Sequence, residues 1–401
     1  MKRFFAFIAI VLTAGFLAVL FLMIELRPKA DQVISIYQGK KAEVPSFHAS
    51  LFQISLDPYV RVSDHTDYDT PGEYDITYDL MLFSHPVKSA HVLSVVKDID
   101  APIISMEDGV ICFSRINEPW SLPDYRVKDN YNSPEEISVT ISGGADNTKE
   151  GVYEASLTAC DAFNNCSYKP LTVVVGAAGE ADLEPGAFDL NRLDQSGTIL
   201  KPGRAGKEKN VYDDLYWMGD SNILNLGKYD GVNSSRVLAR YGMSPASFDL
   251  PLFYDNRQTN QNAVQLVSRF QPSCLILMMG EAEAGSGNPL ALADHYYACI
   301  EQLQAASPDT TIIVSSILPV CRYTINSACD QRMLNRTNYC LYRMCREHNI
   351  PMICPDGKLL GKDGWGNPEY YNEDGFHLRA IYFNRYTDYV KDALNASARF
   401  F

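Results

Sequence analysis

The chain changes its periodicity once, near residue 210, and that change limits the folds open to it. Before it, short runs alternate apolar and polar residues and are broken by turn signals: 73–78, 90–96, 137–141 and 171–175. A period of two with frequent turns predicts antiparallel β-sandwich modules. After it, apolar strand-like runs alternate with helical segments. Strands are expected at 215–218, 274–279, 311–317 and 350–354, and helices at 258–270, 289–306, 331–348 and 379–398. Within 331–348, Leu334, Leu341, Tyr342 and Cys345 share one face. Such alternation implies a parallel sheet covered by helices on both sides, with sites gathered at the C-terminal ends of the strands.

The 401 residues are too many for one typical domain. A net charge of −14 argues against a nucleic-acid partner. Lys2 and Arg3 precede an uncharged apolar run, 4–24, long enough to cross a bilayer core of about 30 Å as a helix. Glu25-Leu26-Arg27-Pro28 does not suit a signal peptidase, so an uncleaved signal anchor is expected, with the N-terminus inside and the rest extracytoplasmic. A cleaved signal peptide is the alternative. Ten cysteines form no paired CxxC pattern, but Cys160/Cys166 and Cys321/Cys329 suit short-loop disulfides in an oxidising compartment.

The β region carries an internal repeat. Pro71-Gly72-Glu73-Tyr74 matches Glu150-Gly151-Val152-Tyr153, and 93–96 matches 171–174, an offset of 78 to 79 residues. The expected organisation is 1–28 cytoplasmic tip and anchor, 29–98 and 99–176 two β modules, 177–210 a Gly-, Ala- and Pro-rich linker or surface wrap, and 211–401 the α/β domain. The second module resembles bacterial surface Ig-like repeats through Gly151-Val152-Tyr153, Asp161-Ala162-Phe163-Asn164-Asn165 and Asp100-Ala101-Pro102. These modules read as a stalk, or as carbohydrate-contacting units. Asp129, Asn130 and Asp161 are oxygen ligands suited to calcium, but acids in β loops are ordinarily solvated, and no metal site is assigned.

Three features fall at strand ends of the α/β domain: Gly219-Asp220-Ser221, Gly280-Glu281-Ala282-Glu283, and Asp374-Gly375-Phe376-His377. A Ser on a strand-to-helix turn projects its hydroxyl beside helix N-terminal N–H groups. The plainer reading is that Asp220 or Ser221 only caps the helix. An Asp and a His three apart on one turn face the same side, and such a pair can activate a Ser.

With these residues in view, 210–400 resembles the SGNH (GDSL-like) hydrolase family, whose domain is three-layer α/β/α and flavodoxin-like. The resemblance implies Ser221 as nucleophile, His377 as base and Asp374 as its orienting acid. It also implies oxyanion donors at the N–H groups of Ser221 and Gly242, though a turn or C-cap role for Gly242 fits equally. Pro319 and Asn335 also match. The third block departs: where relatives carry Gly-x-Asn-Asp or Gly-x-Asn-Glu, this chain has Gly280-Glu281-Ala282-Glu283, and Ala282 has no side-chain donor. Asn222 and Asn288 are the candidates to replace it. Charges on Glu281 and Glu283 would oppose an oxyanion unless they point away. The chemistry needs no cofactor and no metal. The expected activity is that of a membrane-anchored serine esterase, removing O-acyl groups such as acetyl from an envelope polysaccharide or peptidoglycan. Acyl transfer to a glycan on the same fold is one alternative. A surface binding or adhesion protein with an impaired site is another.

Overall fold

The computed structural model describes residues 2–29, 33–107, 109–203, 214–285, 287–325 and 330–397. Two compact units emerge. One comprises Met1–Val110, Leu122–Gly144 and Glu154–Thr172; the other Ile111–Ser121, Ala145–Tyr153 and Val173–Phe401.

In the first unit, helix α1 (Lys2–Leu22) holds the apolar run. Its span Phe4–Leu22 is long and apolar enough to cross a membrane, and none of it is buried in the protein. The strand that follows starts at residue 24, inside the stretch expected to belong to the anchor. In β1 (Ile24–Pro28), Ile24 and Leu26 point into the first β core while Glu25 and Arg27 point out. Alternation therefore ends the helix at Leu22. Strand β2 (Val33–Tyr37) follows, then β3 (Phe47–Leu51), β4 (Ile54–Ser55), β5 (Val60–Asp64), β6 (Gly72–Leu82) and β7 (His85–Lys97). They form two sheets, ordered β1-β3-β4 and β2-β7-β6-β5. Next come β8 (Ile103–Ser105), β9 (Ile111–Arg115, counted with the second unit), β10 (Arg126–Lys128), β11 (Ser138–Gly143), β12 (Gly151–Cys160) and β13 (Cys166–Gly176). β11 pairs antiparallel with β12, Ser138 opposite Cys160. A disulfide joins Cys160 to Cys166 across the short turn between β12 and β13. Of the other expected pair, Cys329 lies outside the described residues.

The second unit is an α/β domain. Helices α2 (Glu180–Leu183) and α3 (Leu190–Leu193) precede it. Then come β14 (Leu215–Gly219), α4 (Ser221–Lys228), β15 (Val237–Ala239), β16 (Phe253–Tyr254), β17 (Arg257–Gln258), α5 (Ala263–Phe270) and β18 (Cys274–Met278). The chain closes through α6 (Glu281–Ala284), α7 (Pro289–Ala306), β19 (Thr311–Ser315), α8 (Gln331–Glu347), β20 (Met352–Ile353) and α9 (Phe383–Ala396). The sheet order is β17-β16-β15-β14-β18-β19-β20. β15, β14, β18, β19 and β20 run parallel, and β16 and β17 fold back antiparallel at one edge. Every residue of β14 and β18 is buried, as expected of strands covered on both faces. One face packs on the cluster holding Leu275, Leu292, Tyr296, Leu334 and Leu341, and the other on that holding Trp217, Ile276, Tyr386 and Val390.

The segment expected as linker is part of this core. Ala178, Leu183, Leu190, Ile199 and Leu200 are buried. Ala178 N–H donates to Tyr339 Oη at 3.1 Å, and Leu183 C=O accepts from Asn335 Nδ2 at 2.8 Å. Its Gly and Pro content breaks any period, while its scattered leucines still fill holes against α8 and β20. Of the expected 177–210, residues 204–210 lie outside the described residues.

Candidate active site

β14 ends at the middle of the parallel sheet, and the turn there is shaped by one close approach. A Cβ on Gly219 would sit 1.8 Å from Met278 C=O and 2.8 Å from Ile223 Cγ1, so only glycine fits. The next residue, Asp220, is the N-cap of α4: its Oδ1 accepts from Asn222 N–H at 3.0 Å. The capping role therefore belongs to Asp220 and leaves the hydroxyl of Ser221 for other work.

That hydroxyl meets His377. Ser221 Oγ lies 2.8 Å from His377 Nε2, and His377 Nδ1 lies 2.9 Å from Asp374 Oδ2. The carboxylate at Nδ1 fixes the tautomer, with the proton on Nδ1 and the lone pair of Nε2 facing the serine. The other oxygen, Asp374 Oδ1, accepts from the N–H groups of Phe376 and His377, both at 3.0 Å. Burial pushes the Asp374 carboxyl up, but those backbone bonds and the imidazole outweigh it and hold it below the usual carboxylate range. Asp374 is thus a fixed anion. Two bonds from the loop after β19 hold the turn: Cys321 N–H to Gly375 C=O at 2.8 Å and Ile325 N–H to Asp374 C=O at 3.1 Å.

Gly242 follows β15, which lies beside β14 with Ala239 opposite Gly219. It adopts φ +62°, is exposed, and a Cβ there would meet nothing. Among the described residues no carbonyl accepts its N–H. Gly280 N–H donates to Met243 C=O at 3.0 Å and ties this turn to the end of β18. Backbone donors at Ser221 and Gly242 thus come from neighbouring strand ends.

Asn222, expected as a tentative oxyanion donor, is otherwise committed. Its Nδ2 donates to Glu281 Oε2 at 3.1 Å and to Phe376 C=O at 3.2 Å, and its Oδ1 accepts from Leu378 N–H at 3.2 Å. Both amide protons are used, so Asn222 has none for an oxyanion. It instead grips the chain immediately before and after His377. Sequence reasoning missed this role, though Asn222 directly follows the serine and its side chain starts beside it. Asn288 caps α7, its Oδ1 accepting from Leu290 and Ala291 N–H.

The two acids of the third block are accounted for separately. Glu283 Oε1 accepts from Ala246 N–H at 3.3 Å. Glu281 is buried beneath the site; burial, then the charge of Asp220, raises its carboxyl well above the ordinary value. Burial raises Asp220 as well, against hydrogen bonds from the N–H groups of Asn222, Glu281 and Ile223. Those donors favour the ionised form at Asp220, while burial beside Asp220 favours the uncharged form of Glu281. Ala282 is exposed at the start of α6 and offers no side-chain donor.

Beside His377 opens a cleft of about 390 Å³, lined by Lys228, Tyr229, Tyr241 and Asn372 among others. Tyr229 and Tyr241 are each about half exposed; Lys228 Nζ lies 5.3 Å from the Tyr229 ring centroid, and Tyr241 packs edge-to-face with Phe253. The arrangement provides a hydroxyl with a base to deprotonate it, an anion to hold that base, and two backbone N–H groups at strand ends.

No family model and no curated protein sequence matches the chain. Solved structures resemble about half of it. A GDSL-like lipase from Bacteroides thetaiotaomicron is 15% identical, matches 46% of this chain and 88% of its own, and has a TM-score of 0.35. A carbohydrate esterase family 3 structure from Talaromyces cellulolyticus is 15% identical, with 46% and 94% covered and a TM-score of 0.31. The periplasmic domain of a lipopolysaccharide acetyltransferase from Salmonella Paratyphi A is 14% identical, with 45% and 83% covered and a TM-score of 0.34. Structures described as GDSL-like lipases recur among these matches.

Proposed function

We propose that residues 214–397 form an SGNH-type serine ester hydrolase. One observation carries the reading: Ser221 Oγ lies 2.8 Å from His377 Nε2, while His377 Nδ1 lies 2.9 Å from Asp374. Ser221 Oγ attacks the ester carbonyl as its proton passes to Nε2. The carbonyl oxygen, now negative, is held by the N–H groups of Ser221 and Gly242. The C–O bond to the alcohol then breaks, and Nε2–H protonates the departing alkoxide. Water repeats the sequence on the acyl-serine and releases the acid. Asp374 stays ionised throughout and stabilises the imidazolium.

The substrate we infer is an O-acylated glycan of the cell envelope, with acetyl as the acyl group. The polar lining of the cleft beside His377, with Lys228, Tyr229, Tyr241 and Asn372, supports this by offering hydrogen bonds to a hydroxyl-rich substrate. α1 is read as an uncleaved signal anchor crossing the bilayer, with the remainder extracytoplasmic. The Cys160–Cys166 disulfide fits an oxidising compartment. The β modules are read as two Ig-like stalk units over 29–98 and 99–176.

The test is hydrolysis of 4-nitrophenyl acetate by the full chain in detergent micelles. Ser221→Ala is expected to lower kcat by about 10⁴-fold or more with the melting temperature retained. Equal turnover by the two proteins refutes the assignment.

A further inference from the structure

Within the first unit, three carboxylates meet. One oxygen each from Asp98, Asp129 and Asp161 lies within 4.8 Å of the others. Asp98 sits just past the end of β7, Asp129 just past β10 and Asp161 just past β12. Asp98 and Asp161 are buried and Asp129 is half-buried, so the expectation of solvated loop acids does not hold here. Among the described residues none of the three takes part in an ion pair, although three like charges at this spacing repel one another strongly when shielded from water.

Much of their hydrogen-bonding capacity is already met. Asp98 Oδ1 accepts from Asp100 N–H and Asn130 Nδ2. Asp129 Oδ2 accepts from Tyr131 and Asn132 N–H, and Asp161 accepts from Phe163 N–H and from the N–H and Nδ2 of Asn165. The remainder is what points to a ligand. Asp98 Oδ2 and Asp129 Oδ1 are sealed from solvent and, among the described residues, have no hydrogen-bond donor, and neither does Asn132 Oδ1. Asp98 is 3% exposed and Asn132 7%. Buried acceptors without donors are costly, and here two of them belong to one carboxylate cluster.

We propose that this cluster is a calcium site. A divalent cation held by these carboxylates gives the orphaned oxygens of Asp98 and Asp129 a partner and offsets two of the three negative charges. The donors are all oxygens, which selects a hard cation and excludes the nitrogen- and sulfur-rich coordination zinc prefers. Calcium takes oxygen ligands at about 2.3–2.6 Å, so ligands on opposite sides of the ion stand about 5 Å apart at most, the span seen here. Magnesium demands a tighter octahedron at about 2.0–2.1 Å and keeps several waters, which carboxylates already locked by backbone donors do not favour. Bound there, the ion ties the chain leaving β7 to the loops after β10 and β12. The site lies outside the ester chemistry and does not depend on it.

Equilibrium dialysis of the EGTA-treated full chain in detergent micelles against radioactive calcium tests this. One ion per chain is expected, with a dissociation constant of about 10⁻⁴ to 10⁻³ M, as in extracellular modules. A tenfold excess of magnesium should not displace it. Asp98→Asn and Asp129→Asn should each weaken binding at least about tenfold. The half-buried Asp129 is the safer of the two for folding, and a circular-dichroism spectrum and melting temperature in EGTA unchanged from wild type show that a variant is folded. The proposal is overturned by absence of binding to the wild-type chain, by displacement with magnesium, or by unchanged affinity in both variants.

Discussion

Ala282 carries no side-chain hydrogen-bond donor, and it stands at the position where the proposed family resemblance would put an oxyanion-binding Asn. Backbone N–H groups at Ser221 and Gly242 remain, and removing a single oxyanion donor from such a site typically costs about 10²–10³ in rate. The site as proposed should therefore run below its ceiling. Ala282→Asn is expected to raise kcat toward 4-nitrophenyl acetate by about 10-fold or more, with little change in KM. A variant no faster than wild type would mean that the oxyanion is already fully held. Asn222 cannot fill the gap, because releasing either amide proton would let go of Phe376 C=O or Glu281. That Ser221, His377 and Asp374 meet could be anticipated, because a Ser at a strand-to-helix turn and an Asp three residues before a His are local patterns. The partners of Asn222 were not, because Glu281 and Phe376 lie 59 and 154 residues away and nothing local announces them.

At the level of elements, the site depends on two strand ends pressed together. Gly219 of β14 lies against Met278 of β18, and their following residues bring Asp220 and Glu281 into one buried pair. In the unfolded chain Glu281 loses its proton near pH 4.3 or so. In the folded chain burial, reinforced by Asp220, makes it hold that proton to much higher pH. Its contribution is therefore full below the unfolded pKa and is lost as pH rises through the folded one, at up to about 1.4 kcal/mol per pH unit for one proton. Asp220 contributes with the same sign. Glu281→Gln keeps an acceptor for Asn222 and has no proton to lose. Thermal melts of this variant should fall less between pH 5 and 8 than those of wild type, and parallel curves would contradict the assignment. The long strands and helices were legible because a buried parallel strand or amphipathic helix repeats its pattern over enough residues. β15, β16 and β17 are two or three residues each, too short to show a period. The segment 177–203 was misread because its Gly and Pro content hides leucines that pack singly.

For the whole molecule, the period changes near residue 210, whereas the second compact unit also takes in Ile111–Ser121, Ala145–Tyr153 and the chain from Val173 on, and holds the α/β sheet with the proposed ester site. The apolar run was legible as one helix. Its end was not, because Ile24 extends the apolar composition while already alternating as a strand with Glu25, Leu26 and Arg27. The acids of the β region were misjudged for a related reason: Asp98, Asp129 and Asp161 are far apart in the chain, and only folding removes them from water.

The central claim is that Ser221 is a nucleophile activated by His377. It is tested most directly by treating the full chain in detergent micelles with a fluorophosphonate and mapping the adduct by mass spectrometry. A single adduct on Ser221 is predicted, absent in Ser221→Ala and formed at least about 10²-fold more slowly in His377→Ala. No adduct on Ser221, or one formed at the same rate without His377, would contradict the account.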